Sequence, residues 1–419
     1  MSRRWIQAAA LAAVLGVLVA AGCSKGQTAK TGTPGANGAA EASWSFKPDR
    51  TPAAAPARPT YAFKALPPKP TNPDELFYWD FRYADLTKLD LSKSQDLLLG
   101  NAIFNAGTKW PAGKLPSGFD PKKILESGKD PGLGIRDLQK QGITGKGVHV
   151  AVIDQTLYLG HPEYKDRLDA YHEIQVQGSI AQAHGTAAVS ILAGKTTGVA
   201  PGVRLTYYAV QTMENNAPTY KYLAMAVHAI LDNNANATST AEQVQVIAIP
   251  ASWAKGASDS LLLDQAIARA HRERVFVISG ALEHEYGVKL QGAGRDPLAS
   301  PNETGAYRPA RTAEFSFYNQ PDAWWGLYVP IDSRTVAGPS GPEDWAFLRS
   351  GGISLAPPYL AGVYALAKQV KPALTPEEFL TAAFETGSTV TFTQNGKTYK
   401  LGPLLNPQGL IQRISAEKK

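Results

Sequence analysis

The chain has 419 residues and a formal net charge of +6. Hydrophobic residues make up 44% of it and charged residues 19%, a balance typical of soluble globular proteins. This composition argues against a disordered chain and against a protein that spans a membrane several times. Lysine and arginine are spread along the chain, and no basic patch alternates with aromatic residues, so nucleic-acid binding is not expected.

The first 22 residues are predicted to be a lipoprotein signal peptide. Arg3 and Arg4 precede an apolar run from Ile6 to Ala21, which is too short for a comfortable membrane span. The run ends in small residues that lead into Cys23, the only cysteine, so no disulfide can form within the chain. This end resembles the lipobox of bacterial lipoproteins, which implies a lipid on Cys23. The alternative is an ordinary secretory signal with a cysteine nearby.

Residues 23–72 are predicted to form a flexible linker. The segment is rich in alanine, proline, glycine, threonine and lysine and has almost no apolar periodicity. Such a segment cannot bury enough surface to offset the entropy lost on ordering. A protein lipidated at its start would use this spacer to hold its folded part clear of the bilayer.

Residues 73–140 are predicted to be an N-terminal accessory segment. Aromatic residues concentrate at 77–81, and the stretches 84–88 and 89–93 look like two turns of a pentapeptide repeat. Two turns are too few for a stable solenoid, because each turn needs neighbours to bury its core. The segment is either a prosegment or docking element, or an extension packed on the main domain, and we prefer the second interpretation.

Residues 141–419 are predicted to form an α/β domain. From residue 142 onward, strand-like and helix-like runs alternate, a pattern that favours a parallel sheet with helices on both faces. In such sheets, chemistry lies at the carboxyl ends of the strands. The predicted strands are 148–153, 204–210, 244–249 and 275–278, and the predicted helices are 187–193, 220–231, 261–271 and 359–370.

Three polar residues stand at the ends of these elements. Asp154 follows the first strand, His184 precedes the first helix, and Ser354 lies in a glycine-containing stretch that opens the last one. Each residue alone has an ordinary explanation, as a loop cap, a surface histidine or a helix N-cap. Together they have the chain order Asp, His, Ser, which is the order in subtilisins. A serine hydroxyl becomes a good nucleophile only beside a base, which itself needs an orienting carboxylate.

The surrounding motifs resemble those of the subtilase family from about residue 142 to 379. They are the strand 150–154 with His161-Pro162 after it, His184-Gly185-Thr186 with the stretch 198–201, and the serine-containing stretch 352–358. The resemblance implies a subtilisin-like fold and a serine endopeptidase that acts on polypeptides. His184 would be the general base, Asp154 its orienting carboxylate and Ser354 the nucleophile, whose backbone N–H would bind the oxyanion.

Several positions depart from the family pattern. Gln155 and Thr156 replace the usual threonine or serine and glycine, and Pro-Ala-Ser at 250–252 replaces one wall of the first specificity pocket. Ala281 stands where the resemblance places the oxyanion asparagine, a loss that costs roughly a hundred- to thousandfold in turnover. His284 is near in sequence and could supply another donor. A catalytically impaired protein that binds a peptide or partner is therefore an alternative, and an esterase-like hydrolase is a third.

No cofactor is predicted. The sequence has no loop rich in aspartate and asparagine with the spacing of metal ligands, so no metal site is assigned, although the family resemblance allows calcium. The predicted partners are a polypeptide substrate and, through the lipid, a membrane. The predicted location is extracytoplasmic, anchored to a bacterial membrane.

Overall fold

The computed structural model describes residues 51–56, 60–257, 259–321 and 325–416. The predicted signal peptide and Cys23 lie outside these ranges. The helices are α1 Gln95–Asn101, α2 Pro121–Ser127, α3 Ile135–Lys140, α4 Ala183–Ala193, α5 Lys221–Asn236, α6 Ser260–Arg272, α7 Glu283–Tyr286, α8 Arg311–Phe317, α9 Ala356–Val370, α10 Pro376–Thr386 and α11 Pro407–Ala416. The strands are β1 Phe104–Asn105, β2 His149–Asp154, β3 Leu168–Ile174, β4 Arg204–Val210, β5 Met213–Glu214, β6 Ala217–Pro218, β7 Val246–Ile249, β8 Phe276–Ser279, β9 Leu290–Gly294, β10 Arg308–Pro309, β11 Leu327–Pro330, β12 Arg334–Ala337, β13 Trp345–Leu348, β14 Ser388–Gln394 and β15 Lys397–Leu404.

The centre of the fold is a five-stranded parallel sheet in the order β3-β4-β2-β7-β8. Side chains of β2 alternate between two apolar cores, since Val150 and Val152 enter one and Ala151 and Ile153 enter the other. Helices α4 and α9 pack against each other on the first face, and α5 and α6 pack on the second. A parallel sheet buried on both faces needs apolar residues at successive positions of the strand, and all six residues of β2 are buried. The predicted α/β class, with helices on both faces, is confirmed.

The predicted elements exist, and their ends move by a few residues. Helix α4 begins four residues earlier than predicted and includes His184, and β2 includes Asp154 as its last residue. Helix α9 begins at Ala356 rather than at 359, and its second and third residues are prolines, which fit a first turn because the N–H groups there have no partner within the helix. Boundaries of this kind are the least certain part of a sequence-based prediction.

Three further sheets were not predicted, and neither was strand β3 of the central sheet. A five-stranded mixed sheet has the order β10-β9-β11-β15-β14, and helix α9 contacts its strands β9 and β11. An antiparallel sheet of three strands has the order β1-β13-β12, and β5 pairs with β6 as a hairpin. Strand β1 comes from the N-terminal segment, so this segment shares a sheet with the chain that leads to Ser354.

The N-terminal segment has a small core of its own. Trp79, Phe81, Leu86 and Phe104 are among its buried members, and Phe347 of β13 completes it. The two predicted repeat turns lie between neighbours, because Asp85 forms one-residue parallel bridges both to residue 62 and to residue 109. Residues 61–63 and 103–114 thus lie next to the two repeat turns and provide the neighbours that two turns alone would lack.

The predicted flexible linker, residues 23–72, includes residues that belong to the folded body. In the described part of it, the Ala53 N–H donates to the Ser179 carbonyl at 2.8 Å, and the Ala181 N–H donates to the Ala53 carbonyl at 2.8 Å. The Trp79 Nε1–H donates to the Pro68 carbonyl at 3.1 Å. Residues 51–56 and 60–72 therefore pair with the folded body. The partners of Ala53 lie more than a hundred positions away, so local composition could not reveal them.

No helix within the described ranges combines the length and the apolar character that a membrane span requires.

Candidate active site

Asp154, His184 and Ser354 are brought to one edge of the central sheet. Asp154 ends β2, the middle strand, with β4 and β7 on either side. His184 lies in the first turn of α4, and Ser354 lies in a short 3₁₀ turn, Ile353–Leu355, that leads directly into α9. Because α4 and α9 pack together, their first turns meet above the carboxyl end of β2.

The three side chains form a continuous chain of hydrogen bonds. His184 Nε2 lies 2.9 Å from Ser354 Oγ, and His184 Nδ1 lies 2.9 and 2.8 Å from the two carboxylate oxygens of Asp154. This distance from Nε2 to Oγ is within the range in which a base can remove a hydroxyl proton. The carboxylate on Nδ1 selects the tautomer in which Nε2 is free to accept that proton.

The electrostatic environment of His184 makes it a stronger base than a free histidine. Burial acts to lower the pKa of His184, while the charge and the hydrogen bond of Asp154 act to raise it. The net result is a pKa above the ordinary value of 6.5. The Asp154 side chain is only 5% exposed and that of His184 12%, so water screens the pair weakly.

Tyr207 fixes the residues that flank the aspartate and the histidine. Its hydroxyl donates to the Gln155 carbonyl, and a Cβ atom at Gly185 would overlap the same hydroxyl. The Gln155 N–H donates to Asp154 Oδ1 at 2.7 Å. Glycine at 185 therefore allows α4 to approach β4 closely enough for His184 to reach Asp154.

The sequence of this region matches a known family. A profile of the Subtilase family, Peptidase_S8, matches residues 145–402, more than half of the chain. The chain belongs to the subtilase family.

The subtilase chain is also similar to named proteinases. It is 29% identical over 245 residues to an extracellular serine proteinase of Thermus sp., covering 57% of this chain and 55% of that protein. It is 25% identical over 299 residues to subtilisin-like protease 2 of Trichophyton rubrum, covering 69% of this chain and 65% of that one. The subtilase chain thus spans between half and two thirds of the length of these relatives.

A solved structure, the prenylagaramide maturation protease PagA, is 18% identical, with a TM-score of 0.46 over 68% of this chain and 99% of that one. The family assignment rests on the sequence match.

Two of the stretches at which the resemblance indicates a departure, residues 250–252 and Ala281, follow β7 and β8. Ala281 is 6% exposed and follows Ser279-Gly280, and its N–H donates to Ser279 Oγ at 3.1 Å. The Gly280 N–H donates to the Ala251 carbonyl at 2.8 Å, so the two chain segments stay paired beyond the sheet. A Cβ atom at Gly280 would overlap Ser252 Oγ, which shows how closely the segments approach.

His284 is oriented toward helix α6. Its Nδ1 lies 3.6 Å from Asp264 Oδ1, beyond hydrogen-bond distance, and its ring packs edge-on against Trp253 at 5.9 Å. The Trp253 Nε1–H donates to the same carboxylate oxygen at 2.9 Å. A cavity of about 130 Å³ lies here, and its wall includes Ala281 and His284.

Sequence reasoning missed the residue that holds the loop before Ser354. Asp332 is 1% exposed, and its carboxylate accepts hydrogen bonds from the backbone N–H groups of Gly351 at 2.7 Å and Arg311 at 2.6 Å. An isolated aspartate after a strand carries no pattern that announces this role. Its partners lie 19 and 21 positions away, on a loop and at a helix start.

The described ranges contain no group of three or more histidine, cysteine, aspartate or glutamate side chains that could hold a metal ion.

Proposed function

We propose that the chain is a serine endopeptidase of subtilisin type that hydrolyses peptide bonds through Asp154, His184 and Ser354. One observation carries the proposal: the 2.9 Å contact between His184 Nε2 and Ser354 Oγ, with the Asp154 carboxylate on the opposite ring nitrogen. Membership of the subtilase family supports it. The substrate is a polypeptide.

The reaction begins with proton transfer. His184 Nε2 takes the proton of Ser354 Oγ as the oxygen attacks the peptide carbonyl carbon, and Asp154 stabilises the imidazolium that forms. The Ser354 backbone N–H, just ahead of helix α9, would donate to the carbonyl oxygen as it becomes negative. His184 then gives its proton to the departing amine. Water, activated by the same histidine, releases the acyl group from Ser354.

A fluorophosphonate probe tests the nucleophile directly. Such probes phosphonylate a serine only when a neighbouring base activates it. We expect the wild-type protein to be labelled at Ser354 and the Ser354→Ala variant to remain unlabelled. Ser350→Ala, four residues earlier on the same loop, is the matched control and should leave labelling unchanged. A folded wild-type protein that resists the probe would overturn the peptidase proposal.

A second candidate is a subtilase-fold protein that binds a peptide or partner with little turnover. Ala281, in the position of the oxyanion asparagine, and the pairing of Gly280 with Ala251 favour it. The two candidates differ in peptide turnover. If the purified protein retains a peptide with nanomolar to micromolar affinity but neither cleaves it nor reacts with the probe, the binding function is the correct one.

We further propose that a lipid on Cys23 anchors the protein outside the cytoplasm, at a bacterial membrane. The signal-like run and the small residues before the chain's only cysteine support this location. Intact mass of the mature membrane-bound form should correspond to a chain that begins at Cys23 and carries acyl groups. The Cys23→Ser variant should lose the acyl mass. Release of the wild-type protein into the medium without lipid would favour an ordinary secretory signal.

We propose that turnover needs no cofactor, because the three side chains account for every proton that moves. Peptide hydrolysis should persist after dialysis against EDTA. Loss of activity that returns on adding calcium, without a change in thermal midpoint, would contradict this proposal.

A further inference from the structure

The loop that presents Ser354 is tied to the N-terminal segment at two levels. Strand β13 pairs with β1, through Phe104 opposite Phe347, immediately before this loop begins. At the end of β13, Arg349 Nε donates to the carbonyl of Leu99 in helix α1 at 2.7 Å. Residues 95–105 therefore contact both strand β13 and Arg349, the residue at which the chain leaves this strand and enters the nucleophile loop.

Asp332 connects this attachment to the loop itself. Arg349 Nη1 lies 3.9 Å from Asp332 Oδ2, and Asp332 Oδ1 accepts from the Gly351 N–H, three residues before Ser354. The Asp332 side chain is fully buried and that of Arg349 is 12% exposed. Burial raises the pKa of Asp332 to about 6, while the charge of Arg349 and the backbone hydrogen bonds oppose that rise. The carboxylate is thus ionised at neutral pH and holds its two N–H groups by charge-assisted bonds.

Arg311 also connects helix α1 to Asp332. The Arg311 N–H donates to Asp332 Oδ2, and Arg311 Nη2 donates to Asn101 Oδ1 in α1 at 2.8 Å. Asn101 is 3% exposed, and Glu314 accepts from Arg311 Nη1 at 2.5 Å. Helix α1 is therefore joined to Asp332 through both arginines, and both of them approach the same carboxylate oxygen, Oδ2.

Gly351 makes the loop sensitive to small movements of this network. A Cβ atom at this position would overlap the Ile331 carbonyl, so the loop lies directly against the chain that carries Asp332. Thr312 Oγ1 donates to the Gly351 carbonyl at 3.3 Å. Both backbone polar groups of Gly351 are thus held, and a displacement of Asp332 passes to Ser354 through only two intervening residues.

We infer that helix α1 of the N-terminal segment acts as a brace for the nucleophile, with Arg349, Arg311 and Asp332 as positioning residues for Ser354. This inference rests on the proposed peptidase function for its kinetic readout. It implies that the segment 95–105 stays with the mature enzyme and is not a removable prosegment, because the loop would lose its anchors with it.

The test compares a variant that lacks the Arg349 guanidinium group with a control variant that lacks the guanidinium group of a different arginine. Arg349→Met keeps the length of the side chain and deletes the contacts to Leu99 and Asp332. Arg136→Met is the control, because Arg136 also donates to a backbone carbonyl, that of Thr196, at 2.7 Å and lies 3.9 Å from a carboxylate, that of Asp130. The control arginine lies on α3, outside the network that holds Gly351.

We expect the rate constant for fluorophosphonate labelling and kcat to fall about ten- to a hundredfold in Arg349→Met, since small misplacement of a reacting group has effects of this size. KM should stay within about twofold, because the substrate cleft is unchanged. Asn101→Ala, a milder variant that keeps Arg349 and Asp332, should show a smaller fall in the same direction. Arg136→Met should match the wild type.

Hydrogen exchange of the peptide 349–355 provides a readout that does not need activity. Exchange should be faster in Arg349→Met than in Arg136→Met at the same fraction folded. If the wild type fails to label, the proposed function fails, and hydrogen exchange still tests the brace. Unchanged protection of 349–355 in Arg349→Met, or equal kinetic losses in both arginine variants, would overturn the inference.

Discussion

The two sides of the site are built differently. On the nucleophile side, Ser354 follows a loop held by the buried Asp332 and stands 2.9 Å from His184. On the other side, where the resemblance places the second oxyanion donor, the chain after β8 has the small residues Gly280 and Ala281, and Ala281 lines a cavity of about 130 Å³. Charged and hydrogen-bonded groups fix the first side, and small side chains and empty space characterise the second.

This difference separates two parts of catalysis that usually occur together. Activation of the serine needs only the base and its carboxylate, and both are in hydrogen-bond contact. Stabilisation of the oxyanion needs donors at the carbonyl oxygen, where the resemblance leads us to expect an asparagine that this chain lacks. On the proposed function, we therefore expect a serine that reacts readily with a probe but turns over peptides slowly.

The largest expected effect concerns the nucleophile side. Asp154→Asn should lower kcat by about 10⁴-fold, because an amide on Nδ1 favours the tautomer in which Nε2 carries a hydrogen and cannot accept the serine proton. Steady-state peptide hydrolysis measures the fall. Asp137→Asn, an exposed carboxylate on α3, should keep wild-type activity. Equal turnover in the Asp154 variant and the wild type would remove the distinction between the two sides.

The next largest effect is expected from adding an oxyanion donor after β8. Ala281→Asn should raise kcat by about ten- to a hundredfold, because one added oxyanion donor contributes at most about a thousandfold. The cavity beside Ala281 offers space for the larger side chain. Ala281→Leu has nearly the same size without a donor and should bring no gain. Equal rates in the two variants would show that this position does not face the carbonyl oxygen.

The pH dependence of turnover sharpens the role of His184. The neutral imidazole is the base, so kcat/KM should fall about tenfold per pH unit below the pKa of His184 and level off above it. That pKa lies above 6.5, because burial, the largest single effect, is outweighed by the charge and the hydrogen bond of Asp154 acting together. Hydrolysis of a peptide without ionisable groups measures the profile between pH 5 and 9. A flat profile would contradict the assignment of the base.

The smallest effect is on stability and lies outside the site. His271 contacts Glu285 at 2.5 Å and Glu377 at 2.7 Å, which links α6, α7 and α10. The hydrogen bond to Glu285 raises the pKa of His271, burial opposes it, and Glu377 adds to the rise. The protonated form is therefore the one stabilised by folding, and its contribution is lost as pH rises through the raised pKa.

Urea unfolding at pH 6 and pH 9 measures this contribution against a His271→Gln variant. Because the His271 side chain is 39% exposed, water screens the pairs, and we expect a loss of only a few tenths of a kcal/mol in the wild type. The variant should not show this loss. A wild type whose free energy of unfolding falls no more than that of the variant would exclude the contribution of these pairs.

The sequence by itself determined four of the five strands of the central sheet, all but β3, and the chain order of its Asp, His and Ser motifs. The apolar runs of β2, β4, β7 and β8 are long enough to identify buried parallel strands, and the motifs around Asp154, His184 and Ser354 are local. Periodicity and short motifs are properties of neighbouring residues, so they can be read from the chain directly.

Only the tertiary structure decided what surrounds those motifs. The pairing of β1 with β13, the burial of Asp332 under Gly351 and the attachment of Ala53 to Ser179 join residues that are distant in the chain. None of these contacts has a periodic or compositional signature. They form because buried backbone and charged groups must find partners wherever the folded chain brings them together.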